Sequence, residues 1–353
     1  MTPDPQKILE YHKHLIWPVI QKYLDYPPYP SAFALPAKYA ADLDYVRSSI
    51  TEYPRRQGKY LRPTLLCLAC QGMTGNSAVA KLASAAMQVS EEWILIHDDF
   101  EDDSQMRRGL PALHRQFSPE IAVNAGDNLQ AVMWKIIFDV TQKLPRPQSI
   151  KFFNEFYAII HRTTIGQGVE IKWFRDNKTD FSDEDWFFLA DSKTCYYTIA
   201  GPLRLGAIIA GASPFQITVL TQFGIKLGRC FQLVDDLLDL TSDFAGQKSQ
   251  AGNDIYEGKR TLILGHLLRT ASEPDKKKLL HLLALPKPQK TPDGISWIIE
   301  KMHSYGSIRY ARDLAENFKN EALDILTRIN FFHDPQALSD LKTLTEFILT
   351  RDH

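Results

Sequence analysis

Apolar residues recur every three or four positions along most of the chain, and no convincing run alternates at period two. The pattern predicts helices over residues 6–25 (bent at Pro18), 37–52, 60–71, 77–102, 119–142, 148–175, 183–198, 201–210 and 214–240. Further helices are expected over 261–269, 275–285, 294–303, 308–329 and 335–349. Asn76 is placed to cap the helix over 77–102, along which Leu82, Ala85, Ala86, Val89, Trp93 and Ile96 keep helical spacing. Loops are expected where Pro and Gly gather, at 26–36, 107–111, 241–258 and 286–292. The fold class is therefore all-α. With no strong linker and no solenoid repeat, the expectation is one domain over 36–353 behind a helical extension over 1–35.

Composition narrows this picture. At 353 residues, 44% hydrophobic and 24% charged, the chain is of globular type with material for a large core. Lys and Arg number 41 against 42 Asp and Glu, so there is no broad basic field for nucleic acid. Any anion site has to be built locally. The first residues lack the apolar core of a signal peptide, and no uncharged run is long enough to span a bilayer. Cys67 and Cys70 form a lone CxxC within a helical pattern, and Cys195 and Cys230 sit in apolar segments. Four reduced, mostly buried thiols in a cytoplasmic protein is the expectation.

Two helix-patterned stretches break the apolar rule in the same way. The first ends in Asp98, Asp99, Glu101, Asp102 and Asp103, and is followed at once by Arg107, Arg108 and Gly109. Asp98 and Asp102 are four apart, so on a helix they project from one face and repel. A hard divalent cation relieves that repulsion, and Mg²⁺ prefers to share its shell with substrate phosphates. Taken alone, the run also fits a solvated helix end. The second stretch, Asp235, Asp236 and Asp239, repeats the spacing inside a strongly apolar helix. Carboxylates there require a counter-charge or a metal. Two such helices facing each other across a cavity would hold several Mg²⁺ ions.

Four basic sets accompany the acids: Lys59 with Arg62, Arg107 with Arg108, Lys193 with Thr194, and Lys259 with Arg260. Beside two divalent-metal sites they point to diphosphate recognition, where Arg supplies forked bonds and Lys a point charge.

These motifs in this order make the chain resemble the trans-polyprenyl diphosphate synthases, the family of farnesyl and geranylgeranyl diphosphate synthases. The matching residues are Gly58-Lys59-Tyr60-Leu61-Arg62-Pro63, the box Asp98 to Asp102 with Arg107-Arg108-Gly109, and Gly166-Gln167. They continue with Lys193-Thr194, Phe231-Gln232 before the box Asp235 to Asp239, Gly252-Asn253-Asp254 and Gly258-Lys259-Arg260-Thr261. The resemblance covers residues 58–261. It implies a helical bundle around a deep central cavity, usually a homodimer, in which an allylic diphosphate ionises and isopentenyl diphosphate attacks the cation. The product is a prenyl diphosphate one isoprene unit longer, and the departing diphosphate takes the proton. By resemblance Asp98, Asp102 and Asp235 hold Mg²⁺, with Asp99 and Asp239 supporting. Arg107, Lys193 and Lys259 grip the allylic diphosphate. Lys59 and Arg62, on the Gly58 loop, and Arg108 grip isopentenyl diphosphate. Gln232 and the main chain near Lys193 and Thr194 supply dipoles for the cation. His97 and His114 are expected to be structural hydrogen-bonders.

Product length is expected to depend on the helix beneath the first box, where Met87, Ser90, Trp93 and Ile94 form a stripe. Trp93 lies five residues before Asp98, about 7.5 Å down the helix. In relatives a bulky residue there floors the tunnel, so a short product is expected, geranylgeranyl first and farnesyl second.

Three positions depart from the family pattern. Glu91 stands where His or Gln is usual and either orients Lys59 or Arg62 or weakens that substrate site. Glu170 replaces a shorter acid. Lys248 is one residue out of place for the loop lysine. The alternatives are a partner subunit of a heteromeric synthase, a class I terpene cyclase, or a helical scaffold. Both intact boxes argue against the first, and the Gly-Lys-x-x-Arg-Pro segment against the second. Acids inside apolar helices argue against the third.

Overall fold

The computed structural model describes residues 4–240 and 251–349. Its described residues are almost entirely helical, and they cluster into two compact units.

The first unit comprises residues up to Asn154 together with Leu205–Ala212 and Phe332–Asp340. Its helices are α1 (Pro5–Gln21), α2 (Ala40–Arg56), α3 (Leu61–Gly72), α4 (Ser77–Glu101), a short α5 (Leu113–Gln116), α6 (Pro119–Thr141) and the start of α7 (Arg146–Arg175). The centre is α4, which packs on α3, α6 and α1. Small side chains make this possible: Ala80, Ala83, Ala85 and Ala86 are buried on α4 and let the neighbouring helices approach. Larger apolar residues fill what remains, among them Leu65, Leu66, Met87, Leu129, Met133 and Ile137. Full burial of each stabilises by roughly 1.5–3 kcal/mol. The carboxamide of Asn76 accepts from the amides of Ala78 and Val79 at 3.0 and 3.1 Å, the cap that the sequence predicts.

The second unit comprises Glu155–Arg204, Ser213–Phe331 and the residues from Leu341. Here α10 (Pro214–Asp239) is central, packed on α15 (Ser307–Thr327) and on residues 191–200. Wholly within it are α8 (Asp183–Ala190), α11 (Asn253–Glu257), α12 (Leu262–Thr270), α13 (Glu273–Leu283) and α14 (Pro292–Ser304), while α9 (Gly201–Ile209) and α16 (Pro335–Leu349) have residues in each unit. Cys195, Cys230, Leu233, Ile263, Leu264 and Phe318 belong to its core.

Three local differences from the sequence reading bear on the site. Residues Asp191–Ala200 form a π-helical stretch rather than the end of an ordinary helix. The basic loop after the first acidic box contains two short antiparallel strands, β1 (Met106–Arg107) and β2 (Leu110–Pro111). The five-residue α11 interrupts the segment expected to be loop through 258. Among the described residues no helix is long and apolar enough to cross a membrane. All four cysteines are free, and burial pushes the Cys67 and Cys70 thiols up to about 11 and 12.

Candidate active site

The first cluster of candidate residues is built on the end of α4. Its final turn carries Asp98, Asp99 and Glu101, its C-cap is Asp102, and that turn holds no basic residue. A helix C-terminus is already the negative end of the dipole, so the acids add to an unfavourable potential that only a cation relieves. Asp99 has its cation in place. It is fully buried and accepts from the Tyr53 hydroxyl at 2.6 Å and from Arg107 Nε at 2.9 and 3.1 Å, while Arg107 Nη2 completes a forked pair. Burial opposes the charge on Arg107, but Asp99 and then Asp98 outweigh it and hold its pKa above the ordinary value. The same Tyr53 oxygen accepts from the amide of Leu113 at 3.1 Å. Asp98 and Asp102 are half-buried, unlike Asp99.

The turn between β1 and β2 places the next arginine. Arg108 and Gly109 take φ values of 53° and 77°, the left-handed pair of a two-residue hairpin. For arginine this conformation is strained, and its side chain is correspondingly well held. Arg108 Nη1 donates to Glu92 Oε2 at 2.9 Å and to the Tyr53 carbonyl at 3.1 Å. Glu92 also accepts from Gln88 Nε2 at 2.6 Å. Glu91 meets two cations: its Oε2 lies 3.2 Å from Arg62 Nη1 and its Oε1 3.5 Å from Arg108 Nη2. Its partners are thus Arg62 and Arg108. Lys59 stands exposed on the loop before α3, where Gln57 and Tyr60 also have positive φ, 46° and 59°.

Farther down α4, Met87, Ser90 and Trp93 are buried and Ile94 is half-buried. The Trp93 indole donates to Met133 Sδ on α6 at 3.4 Å and stacks edge-on against His97. His97 contacts the Val123 carbonyl through Nε2 at 3.3 Å, in keeping with a structural role. His114 differs from expectation. It is buried edge-on against Phe100, and among the described residues neither ring nitrogen has a hydrogen-bond partner, so packing rather than hydrogen bonding places it.

The second cluster lies in the other unit. Ser213 caps α10 by a capping box, and the helix ends at Asp239, again with no basic residue in its last turn. Asp235 is half-buried, while Asp236 and Asp239 are buried. Thr194 Oγ1 donates to Gln232 Oε1 at 2.6 Å, and Gln232 Nε2 donates to Asp236 Oδ1 at 2.7 Å. This relay fixes the Gln232 amide. Burial, and after it the nearby Asp254 carboxylate, push Asp236 well above the usual carboxylate range. Asp239 fastens the following turn: its Oδ2 accepts from the Asp254 amide at 2.9 Å and its carbonyl from the Gly252 amide at 2.7 Å. Lys259 Nζ lies 3.2 Å from Asp254 Oδ1 and 2.8 Å from Glu257 Oε2.

Lys193 and Thr194 sit on the π-helical stretch, a backbone form often found at functional positions. Lys193 pairs with Glu170 of α7. A Cβ on Gly166 would come within 2.8 Å of Ser192 Cβ and 3.2 Å of the Lys193 nitrogen, so only glycine lets α7 pass this close. Gln167 is half-buried beside it. Lys248 lies outside the described residues.

The sequence matches the polyprenyl synthetase family over residues 44–302. The chain belongs to that family. It is 32% identical over 294 residues to a geranylgeranyl diphosphate synthase of Sulfolobus acidocaldarius, covering 83% of this chain and 87% of that protein. A geranylgeranyl pyrophosphate synthetase structure from Pyrococcus horikoshii covers 98% of this chain and 99% of its own at 24% identity, with a TM-score of 0.83. The Corynebacterium glutamicum geranylgeranyl pyrophosphate synthase, solved with isoprenyl diphosphate and magnesium, covers 99% and 100% at 24% identity, with a TM-score of 0.82. These structures share the all-α isoprenoid synthase fold.

For a polyprenyl synthetase the donor set fits a hard divalent cation, because each cluster offers carboxylate oxygens at a dipole-negative helix end. Among the described residues no three His, Cys, Asp or Glu side chains converge into a ready-made cage. Mg²⁺ needs none, since it keeps water and substrate phosphates in its shell and takes one or two carboxylates. Sequence reasoning passed over Tyr53, Gln88, Glu92, Asp254 as a partner of Asp239, and Glu257. The one available signal was that Glu92 adjoins Glu91 in an apolar run, where buried acid needs a partner.

Proposed function

We infer that this synthetase condenses isopentenyl diphosphate with an allylic diphosphate to give a short-chain prenyl diphosphate. The observation that carries the reading is the pair of acid-loaded helix ends, Asp98 with Asp102 and Asp235 with Asp239, each lacking a basic residue in its own last turn. Asp98, Asp102 and Asp235 are the magnesium ligands in this reading. Asp99 and Asp239 support them, the one by holding Arg107 and the other by holding the turn at Asp254. Magnesium, when bound, neutralises the charge that grows on the leaving diphosphate.

The chain's own residues do the rest. Arg107, Lys193 and Lys259 bind the allylic diphosphate, and each is prepositioned by a carboxylate partner: Asp99, Glu170, and Asp254 with Glu257. Lys59 and Arg62, beside Gly58, and Arg108 bind isopentenyl diphosphate. The Gln232 oxygen, oriented by Thr194, offers a fixed dipole to developing positive charge without a nucleophile that would capture it. Trp93, Ser90 and Ile94 set product length, with geranylgeranyl diphosphate as the expected product. The geranylgeranyl synthase of S. acidocaldarius supports that length. The family match begins at residue 44, after the 1–35 segment read as an extension.

The working form is a homodimer. Its support is an apolar stripe at helical spacing on α7, where Ile150, Phe153, Tyr157 and Ile165 are exposed, with Val123 and Phe138 exposed on α6. Four free thiols favour the cytoplasm. The test is purified protein with Mg²⁺, isopentenyl diphosphate and each allylic starter in turn, the products sized by chromatography. Elongated product that needs both substrates supports the reading. Cyclic hydrocarbon made without isopentenyl diphosphate favours a terpene cyclase, and silence until a second chain is added favours a partner subunit.

A further inference from the structure

Glu91 is the most unusual charge in the first unit. It is a carboxylate set among the arginines that a diphosphate needs. Its two oxygens reach two guanidinium groups, Arg62 at 3.2 Å and Arg108 at 3.5 Å. A diphosphate bridging those arginines makes the same arrangement: one anionic group, two oxygens, two cationic forks. The fit of the carboxylate is incomplete. Glu91 Oε2 and Arg108 Nη2 are both buried, and among the described residues neither has a partner in hydrogen-bond geometry. The loop before α3 closes over the pair. A Cβ on Gly58 would lie 2.7 Å from Arg108 Nη2 and 3.4 Å from Glu91 Oε1. So the backbone that carries Lys59 passes directly beside an ion pair whose bonds are stretched.

Resting on the reading of Lys59, Arg62 and Arg108 as the isopentenyl diphosphate site, we propose that Glu91 is a built-in competitor for that diphosphate. Its carboxylate stands in for the ligand across Arg62 and Arg108 in the free enzyme. It must be displaced, or tolerated as a like charge, when the substrate binds. The local charges give the direction. Arg62 and Arg108 face Glu91, and Arg108 also meets Glu92, so carboxylates offset much of the positive charge that a diphosphate would meet there. The other groups facing Glu91 are Tyr60, whose phenol burial and both carboxylates keep protonated, and the neutral amide of Gln88, which reaches Glu92. Glu92 has a different part. It is fully buried and already satisfied by Arg108 Nη1 and Gln88, so it holds Arg108 in place rather than competing for the open fork. Glu91 therefore tunes how tightly the second substrate is held.

The test is calorimetric titration of isopentenyl diphosphate into the intact enzyme in magnesium buffer without allylic substrate. Four proteins are compared: wild type, Glu91→Gln, Glu91→Asp and Arg108→Gln. Thermal melts of each check that it is folded. Removing one charge a few ångströms from a diphosphate in a half-buried site is worth about tenfold in affinity. Glu91→Gln is expected to bind about tenfold more tightly. Glu91→Asp, which keeps the charge, is expected to stay within about threefold of wild type, because the carboxylate still offsets the arginines. Weaker binding by Glu91→Gln overturns the proposal and makes Glu91 a positioning residue that holds the arginines for the substrate. Unchanged binding by Glu91→Gln also overturns it. Arg108→Gln separates the two layers of inference. If it loses affinity while Glu91→Gln gains none, only the competitor proposal fails. If Arg108→Gln binds as well as wild type, the site reading fails with it.

Discussion

The two acidic helix ends share a spacing but handle their buried charge in opposite ways. On α4 the buried member is Asp99, and it meets a full positive charge: Arg107 forks onto it and Tyr53 adds a hydrogen bond. On α10 the buried members are Asp236 and Asp239; the Gln232 amide donates to Asp236, and the Asp254 main-chain N–H donates to Asp239. Burial and Asp254 then drive Asp236 toward holding a proton, while Lys259 opposes only weakly from behind two carboxylates of its own. The buried acid of the first box is thus held as an ion pair. Asp236 in the second is pushed toward a protonated carboxyl. One motif spacing can therefore carry its buried acid charged at one helix end and protonated at another.

The largest effect that tests this comparison is catalytic. Asp98→Asn and Asp235→Asn each remove a half-buried member, and each is expected to lower kcat/KM by at least about 10²-fold, the scale of losing one preorganised electrostatic contact. Steady-state kinetics at saturating Mg²⁺ reads it. A loss confined to one variant would show that only one box takes part in the chemistry.

Stability comes next, and here the boxes should separate. Arg107→Gln leaves Asp99 buried without its cation and is expected to cost about 3–5 kcal/mol in urea unfolding. Gln232→Leu deprives Asp236 of a neutral hydrogen bond and is expected to cost only about 1–3 kcal/mol. Equal costs would remove the distinction drawn between them.

A change in product rather than rate follows from the stripe that only α4 carries. Trp93→Ala opens space beside Met133 and is expected to lengthen the main product by at least one isoprene unit. Products sized by chromatography with the same length distribution would remove Trp93 from that role.

The smallest effect is the pH dependence of the metal-free protein. Asp236 is raised above its unfolded value, so the folded chain keeps that proton longer than the unfolded one. Its contribution to stability is complete below the ordinary carboxylate pKa and is lost as pH rises through the raised one. Glu92, pushed up to about 7 chiefly by burial, adds the same slope between the ordinary glutamate value and about 7. Melting temperatures in chelator are expected to fall less steeply with pH in Asp236→Asn than in wild type, and added Mg²⁺ should flatten the wild-type slope.

Much of this was visible in the residue pattern. Helical spacing located α4 and α10 closely, because both are long, apolar and capped. The acids at their ends stood out because charge inside an apolar helix needs a reason. The unseen parts share one cause, which is that they depend on partners distant in sequence or on backbone form. The π-helical stretch at Asp191–Ala200 is only ten residues, too few turns for the hydrophobic period to separate it from an ordinary helix. A hairpin with two-residue strands is too short to show alternation, so Arg108 read as loop. Which arginine meets Glu91, and that Asp239 holds the turn at Asp254, follow from packing and not from spacing.

The central claim is that both acidic helix ends bind a diphosphate through divalent metal. The most direct measurement is calorimetric binding of an unreactive allylic thiolodiphosphate, with Mg²⁺ and with chelator, to wild type, Asp98→Asn and Asp235→Asn. Binding by wild type that is at least about tenfold stronger with Mg²⁺, and weakened in both variants, is the predicted result. Equal affinity in chelator, or affinity untouched by either substitution, would contradict it.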